Sequence, residues 1–362
     1  GRLMRRYWHP IAAVAELIKT PVKKVKVLNE SLVIYRDKNR KIRLFVEASL
    51  PGKTFLKDRV PEPKHLRWKY QGWFYDRRGR CVRPPQKQSG GLFKDLIRTR
   101  EYPVRELGGL IFAYLGPDPV PWIPQYNLLI WDDAVREING TVIDCNWLQI
   151  VENLLDPYHV EFLHGRYFEH VLRLKGGDQV EEFLSRYAPK PIKKIAFNLF
   201  ENGIVERHMI KSENEVSWKV GAPTFFPTTT LVGPVESSKV INFVVPLDDT
   251  HTWFVVYLAE RTGIPIPWEE TPRHVDVPGV DKETGQFLLD TANGQDHMAV
   301  VTQGEIARRE KEHLTTSDIG ITLYRRLLMQ QIELMERGEV PMNVYRDVHR
   351  ISVEKDEFLE IA

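Results

Sequence analysis

A proline-rich break divides this 362-residue sequence into two parts of different character. Pro117, Pro119 and Pro121 fall within six residues and follow Gly116, so neither a helix nor the interior of a sheet can run through the segment. Short β-prone runs fill the sequence before the break, and helix-prone segments mix with strands after it. We therefore predict two domains, residues 1–119 and residues 120–362.

The first part predicts a small all-β module. Its β-branched and aromatic runs are separated by turn residues, and the stretch from Trp73 to Tyr75 leads into Asp76–Arg80, which is typical of a hairpin. The predicted strands are residues 25–28, 32–35, 42–46 and 110–115.

The second part predicts a sheet flanked by long helices, which is the α+β pattern. The predicted strands are residues 216–219, 228–232, 239–245 and 252–258. The predicted helices are residues 146–164, ended by Gly165, and residues 285–309 and 319–337.

Composition excludes several classes of function. The net charge is only +2, so no global field favours a nucleic-acid or membrane partner. The two cysteines, Cys81 and Cys145, exclude a disulfide framework and an all-cysteine metal site within this chain, and they favour a cytoplasmic protein. The apolar stretch 11–18 is short and contains Glu16, so it predicts neither a signal segment nor a membrane span.

Asp156, His159 and His164 form the most informative motif, because the two histidines stand five residues apart. On a regular α-helix their side chains point about 140° apart. A π-bulge or kink brings them to one side, and Pro157 supplies a local cause for such irregularity. Two imidazoles and a carboxylate suit non-haem Fe(II). Two histidines on a helix flank explain the spacing equally well, so spacing alone leaves both interpretations open.

The surrounding residues resemble the iron-binding helix of Rieske non-haem iron oxygenases, closest to the branch of phthalate dioxygenase and vanillate O-demethylase. The resemblance covers nearly the whole chain. It rests on Asn146-Trp147-Leu148-Gln149 followed by Glu152-Asn153, Asp156, His159 and His164, on Met4–Pro10, and on Gln295–Gly304 with His313-Leu314 and Ser317-Asp318.

The resemblance implies a fold, a metal site and an assembly. It implies a Rieske-like β domain followed by a helix-grip catalytic domain, assembled in a trimeric or mixed-trimer ring. His159, His164 and Asp296 are its expected iron ligands. Asp156 is the expected acid that hydrogen-bonds a ligand histidine and faces the neighbouring subunit's cluster; a plain surface acid is the alternative. His297 is expected to have a supporting or structural role.

By the same resemblance, every ligand of the Rieske [2Fe–2S] cluster is missing from this sequence. A Rieske centre needs two cysteines and two histidines. Leu50 and Trp68 stand where the resemblance places the cysteines, and Gly52 and Gln71 stand where it places the histidines. The frame residues Pro51, Tyr70, Gly72 and Trp73 remain. The bulky Leu50 and Trp68 predict a β domain repacked to fill the volume of the lost cluster.

Three hypotheses follow from an intact iron site without a cluster. The first is an oxygenase subunit that receives electrons from a Rieske-bearing partner, with NAD(P)H supplying them indirectly through a reductase or ferredoxin. The second is a catalytically silent structural or regulatory subunit. The third is an iron enzyme that needs no external reductant. Retention of Asp156 with the three ligand residues favours the first.

The expected substrate, by resemblance, is an aromatic acid or a methylated aromatic compound, with O₂ as co-substrate. Residues 166–222 and the strands after them are expected to line the pocket. Arg166 and Arg207 are candidates to pair with a carboxylate, or else surface arginines. Six aromatic residues in this region belong either to the pocket or to the core: Phe168, Phe197, Phe200, Trp218, Phe225 and Phe226.

Overall fold

The structure, a computed structural model, describes most of the chain. It covers residues 1–37, 40–47, 100–176, 180–181, 192–211, 216–232, 240–266, 272–348 and 350–351, together with the main chain of four short strands between 59 and 83. The four positions of the missing cluster ligands, Leu50, Gly52, Trp68 and Gln71, lie outside the residues whose side chains are described.

The part of the chain before the proline-rich break is built from short strands. They are β1 (Trp8–Ala13), β2 (Val22–Val27), β3 (Glu30–Arg36), β4 (Ile42–Val46), β5 (Arg59–Pro61), β6 (Leu66–Trp68), β7 (Phe74–Tyr75), β8 (Cys81–Arg83), β9 (Glu101–Tyr102), β10 (Val104–Leu107) and β11 (Leu110–Tyr114). Three antiparallel sheets result, with strand orders β1-β11-β10, β2-β3-β4-β9 and β5-β6-β7-β8. The predicted hairpin is confirmed, because β7 pairs antiparallel with β8. Helix α1 (Val14–Lys19) follows β1.

The second part centres on an eight-stranded sheet with the order β14-β15-β16-β17-β18-β19-β13-β20. The strands of this part are β12 (Gln125–Tyr126), β13 (Ala134–Ile143), β14 (Ile192–Phe200), β15 (Gly203–Lys211), β16 (Val216–Phe225), β17 (Thr229–Val232), β18 (Val240–Pro246), β19 (Thr252–Arg261), β20 (Arg273–Asp276) and β21 (Arg350–Ile351). Neighbouring strands of the large sheet are antiparallel except for the parallel pair β13–β20.

The second part also contains helices. They are α2 (Asn127–Ile130), α3 (Trp147–Leu154), α4 (Pro157–Glu161), α5 (Phe168–Lys175), α6 (Ala292–Val301) and α7 (Ile319–Glu336), with a π-helical turn at Phe162–Tyr167 between α4 and α5. Short 3₁₀ turns occur at Met4–Arg6, Arg309–Lys311 and Thr316–Asp318. The α+β prediction is confirmed.

The two faces of the large sheet bury different cores. One core packs Ile241, Phe243 and Tyr257 of the sheet against β1, β3, β4 and β11. The other packs Val244 and Ile204 against α3 and α7. Because the first core contains residues from both sides of the proline-rich break, the two parts of the chain are joined by shared apolar packing. The division at 119/120 stays a prediction.

Two helix predictions differ from the structure. The predicted helix 285–309 contains only α6, because Gly285 and Gly304 adopt φ values of +71° and +93°, which a helix does not use. The predicted helix 146–164 is broken after Leu154, and Gly165 is buried inside the π-helical turn instead of ending the segment. Gly176, with φ +72°, ends it.

Within the described residues, no helix has the length and apolar character that crossing a bilayer requires.

Candidate metal centre

A sharp break between α3 and α4 sets the direction of the first histidine. Asn146 caps α3 by accepting the Leu148 N–H at 3.1 Å. The chain leaves the helix at Leu155 and enters α4 with Pro157 in its first turn, where the missing N–H costs nothing. The Asp156 carboxylate caps α4 by accepting the Tyr158 N–H at 2.9 Å. These local preferences place His159 in the first turns of a new helix.

The π-helical turn brings His164 to the same side as His159. The wider i→i+5 turn rotates each residue by less than an α-helix does, so five residues overshoot a full turn by a smaller angle. The imidazole centroids lie 5.1 Å apart with the ring planes at 78°. The predicted helical irregularity is therefore present, and Phe162–Tyr167 carries it rather than Pro157 alone.

Asp296 comes to the two histidines from α6, which Thr291 caps by accepting the Gly294 N–H at 3.0 Å. Its Oδ1 lies 3.1 Å from His164 Nε2 and 3.8 Å from His159 Nε2. One candidate ligand atom from each residue lies within 4.8 Å of the others. Among the described residues, no second group of three such side chains approaches this closely.

Hydrogen bonds fix which nitrogen each imidazole presents to the centre. Gln295 Nε2 donates to the Leu289 carbonyl at 2.7 Å, so its Oε1 accepts from His164 Nδ1 at 2.9 Å. His159 Nδ1 donates to the main-chain carbonyl of Asp156. With Nδ1 engaged on each ring, Nε2 is the nitrogen that each imidazole presents towards Asp296, and it is the nitrogen that a metal ion would take on displacing any proton there.

The structure differs from the expectation for Asp156 in one respect. Its main-chain carbonyl, rather than its carboxylate, holds His159, because the carboxylate caps α4. Burial raises the pKa of the Asp156 carboxyl group above its ordinary value, and the charge of Asp318 adds to this effect, while His159 and the Tyr158 N–H oppose it. The carboxylate is thus partly withdrawn from water beside the histidine it was expected to contact.

The charges within the triad are coupled. Burial alone raises the pKa of Asp296, but the hydrogen bond and charge of His164, the charge of His159 and the Asn153 amide together hold it below the ordinary value. Asn153 Nδ2 donates to Asp296 Oδ1 at 3.1 Å. Burial lowers the pKa of His164, but Asp296 and Gln295 raise it above the ordinary value overall. In the absence of a metal ion, this network keeps Asp296 ionised and ready to act as a ligand.

The donor set fits a mononuclear non-haem Fe(II) ion. Two imidazole nitrogens and one carboxylate oxygen converge; a hydrogen bond at the far nitrogen orients each imidazole, and Asn153 donates to the Asp296 oxygen that faces the histidines. A site of two histidines and one carboxylate leaves further coordination positions open, as oxygen-activating iron sites do.

Gln295 should act as a positioning residue for His164. Gln295→Leu removes the acceptor of the Nδ1–H and should weaken metal binding by roughly 10- to 100-fold, as loss of such a supporting contact typically does. Metal titration with a competing chelator measures the change. Gln303→Leu is the matched control, since Gln303 is an exposed amide whose side chain bonds only the Ala299 carbonyl among the described residues. Equal affinities in both variants would show that Gln295 has no such role.

His297, the neighbour of Asp296, does not join the triad. It is 8% exposed, packs against Gly279, and has its ring centroid 6.0 Å from that of Phe287. Burial lowers the pKa of His297, so it is held neutral. The expectation of a supporting or structural residue therefore agrees with its position.

The residues that were candidates to line the substrate pocket lie in different parts of the structure. Arg166 is exposed and pairs with Glu161 at 2.7 Å, as a surface arginine does. Phe225 and Phe200 pack in the core shared with the first part of the chain, whereas Phe226 and Phe197 pack in the core beneath the helices. Trp218 is 46% exposed. Arg207 pairs in register with Ala196 and Val220 on β15.

A buried ion network next to the centre was not anticipated from the sequence. Glu152, 7% exposed, accepts from Arg325 Nε at 2.7 Å and from an Arg309 guanidinium nitrogen at 3.0 Å. Arg325 also forms a two-pronged pair with Glu312. These bonds tie α3 to α7 and to the segment that follows α6. Glu152 stands in the quoted motif, but its partners lie more than 150 residues away, so no local signal identified them.

Comparison with known proteins agrees with this arrangement. Residues 143–334 match the family described as the vanillate O-demethylase oxygenase C-terminal domain. The chain is 31% identical to the 5,5'-dehydrodivanillate O-demethylase oxygenase subunit of Sphingobium sp. strain SYK-6, over 96% of this chain and 80% of that protein. It is 27% identical to the phthalate 4,5-dioxygenase oxygenase subunit of Pseudomonas putida, over 94% of this chain and 84% of that one.

Solved structures share the fold. Dicamba monooxygenase bound to dicamba superposes with a TM-score of 0.64 at 17% identity, covering 94% of this chain and 100% of that one. The oxygenase in complex with ferredoxin of carbazole 1,9a-dioxygenase superposes with a TM-score of 0.63 at 18% identity, covering 89% and 88%. Sequence, fold and the geometry of the triad lead to one conclusion: the chain belongs to the Rieske-type oxygenase subunits of the vanillate O-demethylase and phthalate dioxygenase branch.

Proposed function

We propose that this chain is an oxygenase subunit that binds one Fe(II) through His159, His164 and Asp296 and hydroxylates or demethylates an aromatic-type substrate. The observation that carries the proposal is the convergence of these three ligand atoms within 4.8 Å of one another from α4, the π-helical turn and α6. When bound, an iron ion at this position supplies the redox chemistry that activates O₂.

The chain's own residues prepare the site for that ion. Gln295 and the Asp156 carbonyl hold the two imidazoles in the binding tautomer, and Asn153 holds the carboxylate. The ligand side chains are only 14% to 28% exposed, so the protein restricts water around the centre. Relatives support the class of reaction: one is an O-demethylase subunit, and a structural neighbour is a dicamba monooxygenase with non-haem iron.

The small number of cysteines and the burial of one of them support an electron source outside this chain. A Rieske centre takes two cysteine ligands, and this chain has only Cys81 and Cys145. Cys145 is fully buried in the core beneath the helices, where burial raises the pKa of its thiol to about 12. Such a thiol is a poor metal ligand. We propose that a Rieske-bearing partner, supplied from NAD(P)H through a reductase or ferredoxin, reduces this subunit in a trimeric or mixed-trimer ring.

Metal analysis tests the proposal. The purified protein should contain about one iron per chain and no acid-labile sulfide, and it should lack the visible absorption of a [2Fe–2S] centre. Iron and sulfide are measured on the same sample. Stoichiometric sulfide would overturn the missing-cluster part of the proposal. Failure to bind iron under anaerobic reconstitution would instead favour a catalytically silent structural or regulatory subunit.

A further inference from the structure

A row of mostly polar side chains crosses five neighbouring strands of the large sheet. Asn139 of β13 lies opposite Val256 of β19, which lies opposite Asn242 of β18. Asn242 in turn lies opposite Thr230 of β17, and Thr230 opposite Thr224 of β16. Directly paired residues project from the same face of a sheet, so the five side chains form one line.

This row faces the helices. The sequence neighbours of its members belong to the core on the opposite face; they are Ile138, Phe225, Leu231, Ile241, Phe243, Val255 and Tyr257. Val244, two residues from Asn242 and therefore on its face, packs instead with Ile150 of α3 and Tyr324 of α7. The row consequently lies between the sheet and the helices that carry the metal centre.

Helix α3 runs from the far end of β18 towards the centre. Its start is tied there, because Asn146 Nδ2 donates to the Asp249 carbonyl and Thr252, the partner of Pro246, donates to the Cys145 carbonyl. Asn153 at its other end bonds Asp296. Helix α3 packs against β18, with Ile150 and Val244 in one core, so Asn242 lies on the strand and the face that α3 covers.

The two asparagines carry buried acceptors without partners. Asn242 is 5% exposed, and no hydrogen-bond donor among the described residues reaches its Oδ1 or that of Asn139, although both atoms are buried. The threonines differ, since Thr224 and Thr230 bond each other at 3.2 Å. Unpaired buried acceptors are rare in folded proteins and call for a partner. Val256 separates the two amides, so they flank an apolar position that a ring can cover.

The charges around the row disfavour an anion. None of its five members is ionisable, and two acids lie near it on this face: Glu137, two residues from Asn139 on β13, and Glu206, which lies opposite Phe197 and bonds His208 at 2.7 Å. A substrate carboxylate at this place would find no positively charged side chain in the row. It would also lie near the carboxylate of Glu206, which repels it. A hydroxyl group, in contrast, donates a hydrogen bond to an amide oxygen and carries no charge.

We infer that Asn242 and Asn139 form a substrate subsite that binds a neutral hydrogen-bond donor, a phenolic or alcoholic hydroxyl group on an aromatic ring, in preference to a carboxylate. The inference rests on the proposed function, because it assigns the row to the substrate of the metal centre. It also narrows the expectation of an aromatic acid or methylated aromatic compound to rings that bear a hydroxyl group.

Calorimetric binding to the iron-loaded, anaerobic protein tests the inference without turnover. Three probes share one ring and differ in one group: 2-methoxyphenol, 1,2-dimethoxybenzene and 2-methoxybenzoate. The phenol should bind roughly 10- to 100-fold more tightly than the dimethoxy compound, as expected when a buried acceptor is left without its donor. It should also bind more tightly than the benzoate.

Asn242→Leu should abolish the preference for the phenol, and Asn139→Leu should reduce it. Asn242→Thr retains an oxygen acceptor and is the milder variant if the leucine protein does not fold, which circular dichroism checks. It should keep part of the preference. Asn198→Leu is the matched control, since Asn198 lies on β14 opposite Val205, which belongs to the core on the other face. It should leave the preference unchanged.

The outcomes separate this inference from the proposed function. Tighter binding of the benzoate, or a preference for the phenol that survives both Asn242→Leu and Asn139→Leu, would overturn the inference and leave the proposed oxygenase role intact. Failure of the iron-loaded protein to bind any of the three rings would count against the aromatic substrate class and the inference together. Loss of iron itself would contradict the proposed function at its first step.

Discussion

Replacing either histidine of the triad by alanine should strip iron from the protein. His159→Ala and His164→Ala each remove one of three ligands, and the remaining pair cannot hold the ion at micromolar concentrations. Loss of a supporting contact already costs roughly 10- to 100-fold in metal affinity, so loss of a ligand should exceed about 100-fold. Iron content after gel filtration should fall from about one per chain to near zero.

The chain offers a matched control for this experiment. His170 is exposed on α5, six residues beyond His164, and contributes to no cluster of candidate ligands among the described residues. His170→Ala should retain full iron. If His159→Ala and His164→Ala also retain iron, the triad is not the metal site. If all three variants lose it, the effect arises from general destabilisation, which thermal unfolding of each variant would reveal.

The second large effect concerns electron delivery. The purified chain with NAD(P)H and a reductase of this family should oxidise little or no substrate, because Cys145 is buried and the positions expected to hold cluster ligands carry Leu50, Gly52, Trp68 and Gln71. Adding a homologous subunit with intact cysteine and histidine loops should restore turnover. Oxygen consumption and product formation measure both steps. Full turnover by the chain and reductase alone would refute the need for a partner.

Asp156 provides the finer test of this route. Asp156→Ala should abolish the restored activity while leaving iron bound. The substitution also removes the cap of α4, which is worth about 1 kcal/mol. Asp156→Asn keeps a capping oxygen and removes only the charge. If the asparagine variant is also inactive, the charge matters; if it is active, the cap alone explains the alanine result.

A variant of the complex distinguishes a catalytic role of this chain from a structural or regulatory role. Combining the intact partner with His159→Ala of this chain removes this chain's iron and nothing from the partner. Turnover should then disappear if this chain carries the reaction. Turnover that persists would favour a structural or regulatory role for this chain, with the partner supplying the active iron.

The sequence by itself determined the local parts of the site. Asp156 and Pro157 begin a helix by well-known terminal preferences, and the five-residue spacing of the histidines required an irregular turn if both were to face one ion. The resemblance supplied Asp296, which spacing alone did not. The α+β class also followed from the order of strands and helices, because hydrophobic and turn patterns are local properties of the chain.

Strand β13 was not predicted from the sequence. β13 contains Arg136, Glu137, Asn139 and Gly140, a composition that disfavours a strand. It forms because β19 pairs along its whole length and β20 pairs with its middle. Gly140 fits because any side chain there would meet the Trp253 indole, with a Cβ only 2.8 Å from its Nε1. Tertiary pairing thus overrode local propensity.

Only the tertiary structure decided how the distant residues meet. His164 and Gln295 are 131 positions apart, and their hydrogen bond, which selects the imidazole tautomer, exists because α6 packs beside the π-helical turn. The polar row is likewise a product of the register of five strands, in which Asn139 and Asn242 share one partner, Val256. A one-residue slip in any strand would turn its side chain to the other face. Such long-range register depends on which cores the sheet buries, and no local pattern in the sequence records it.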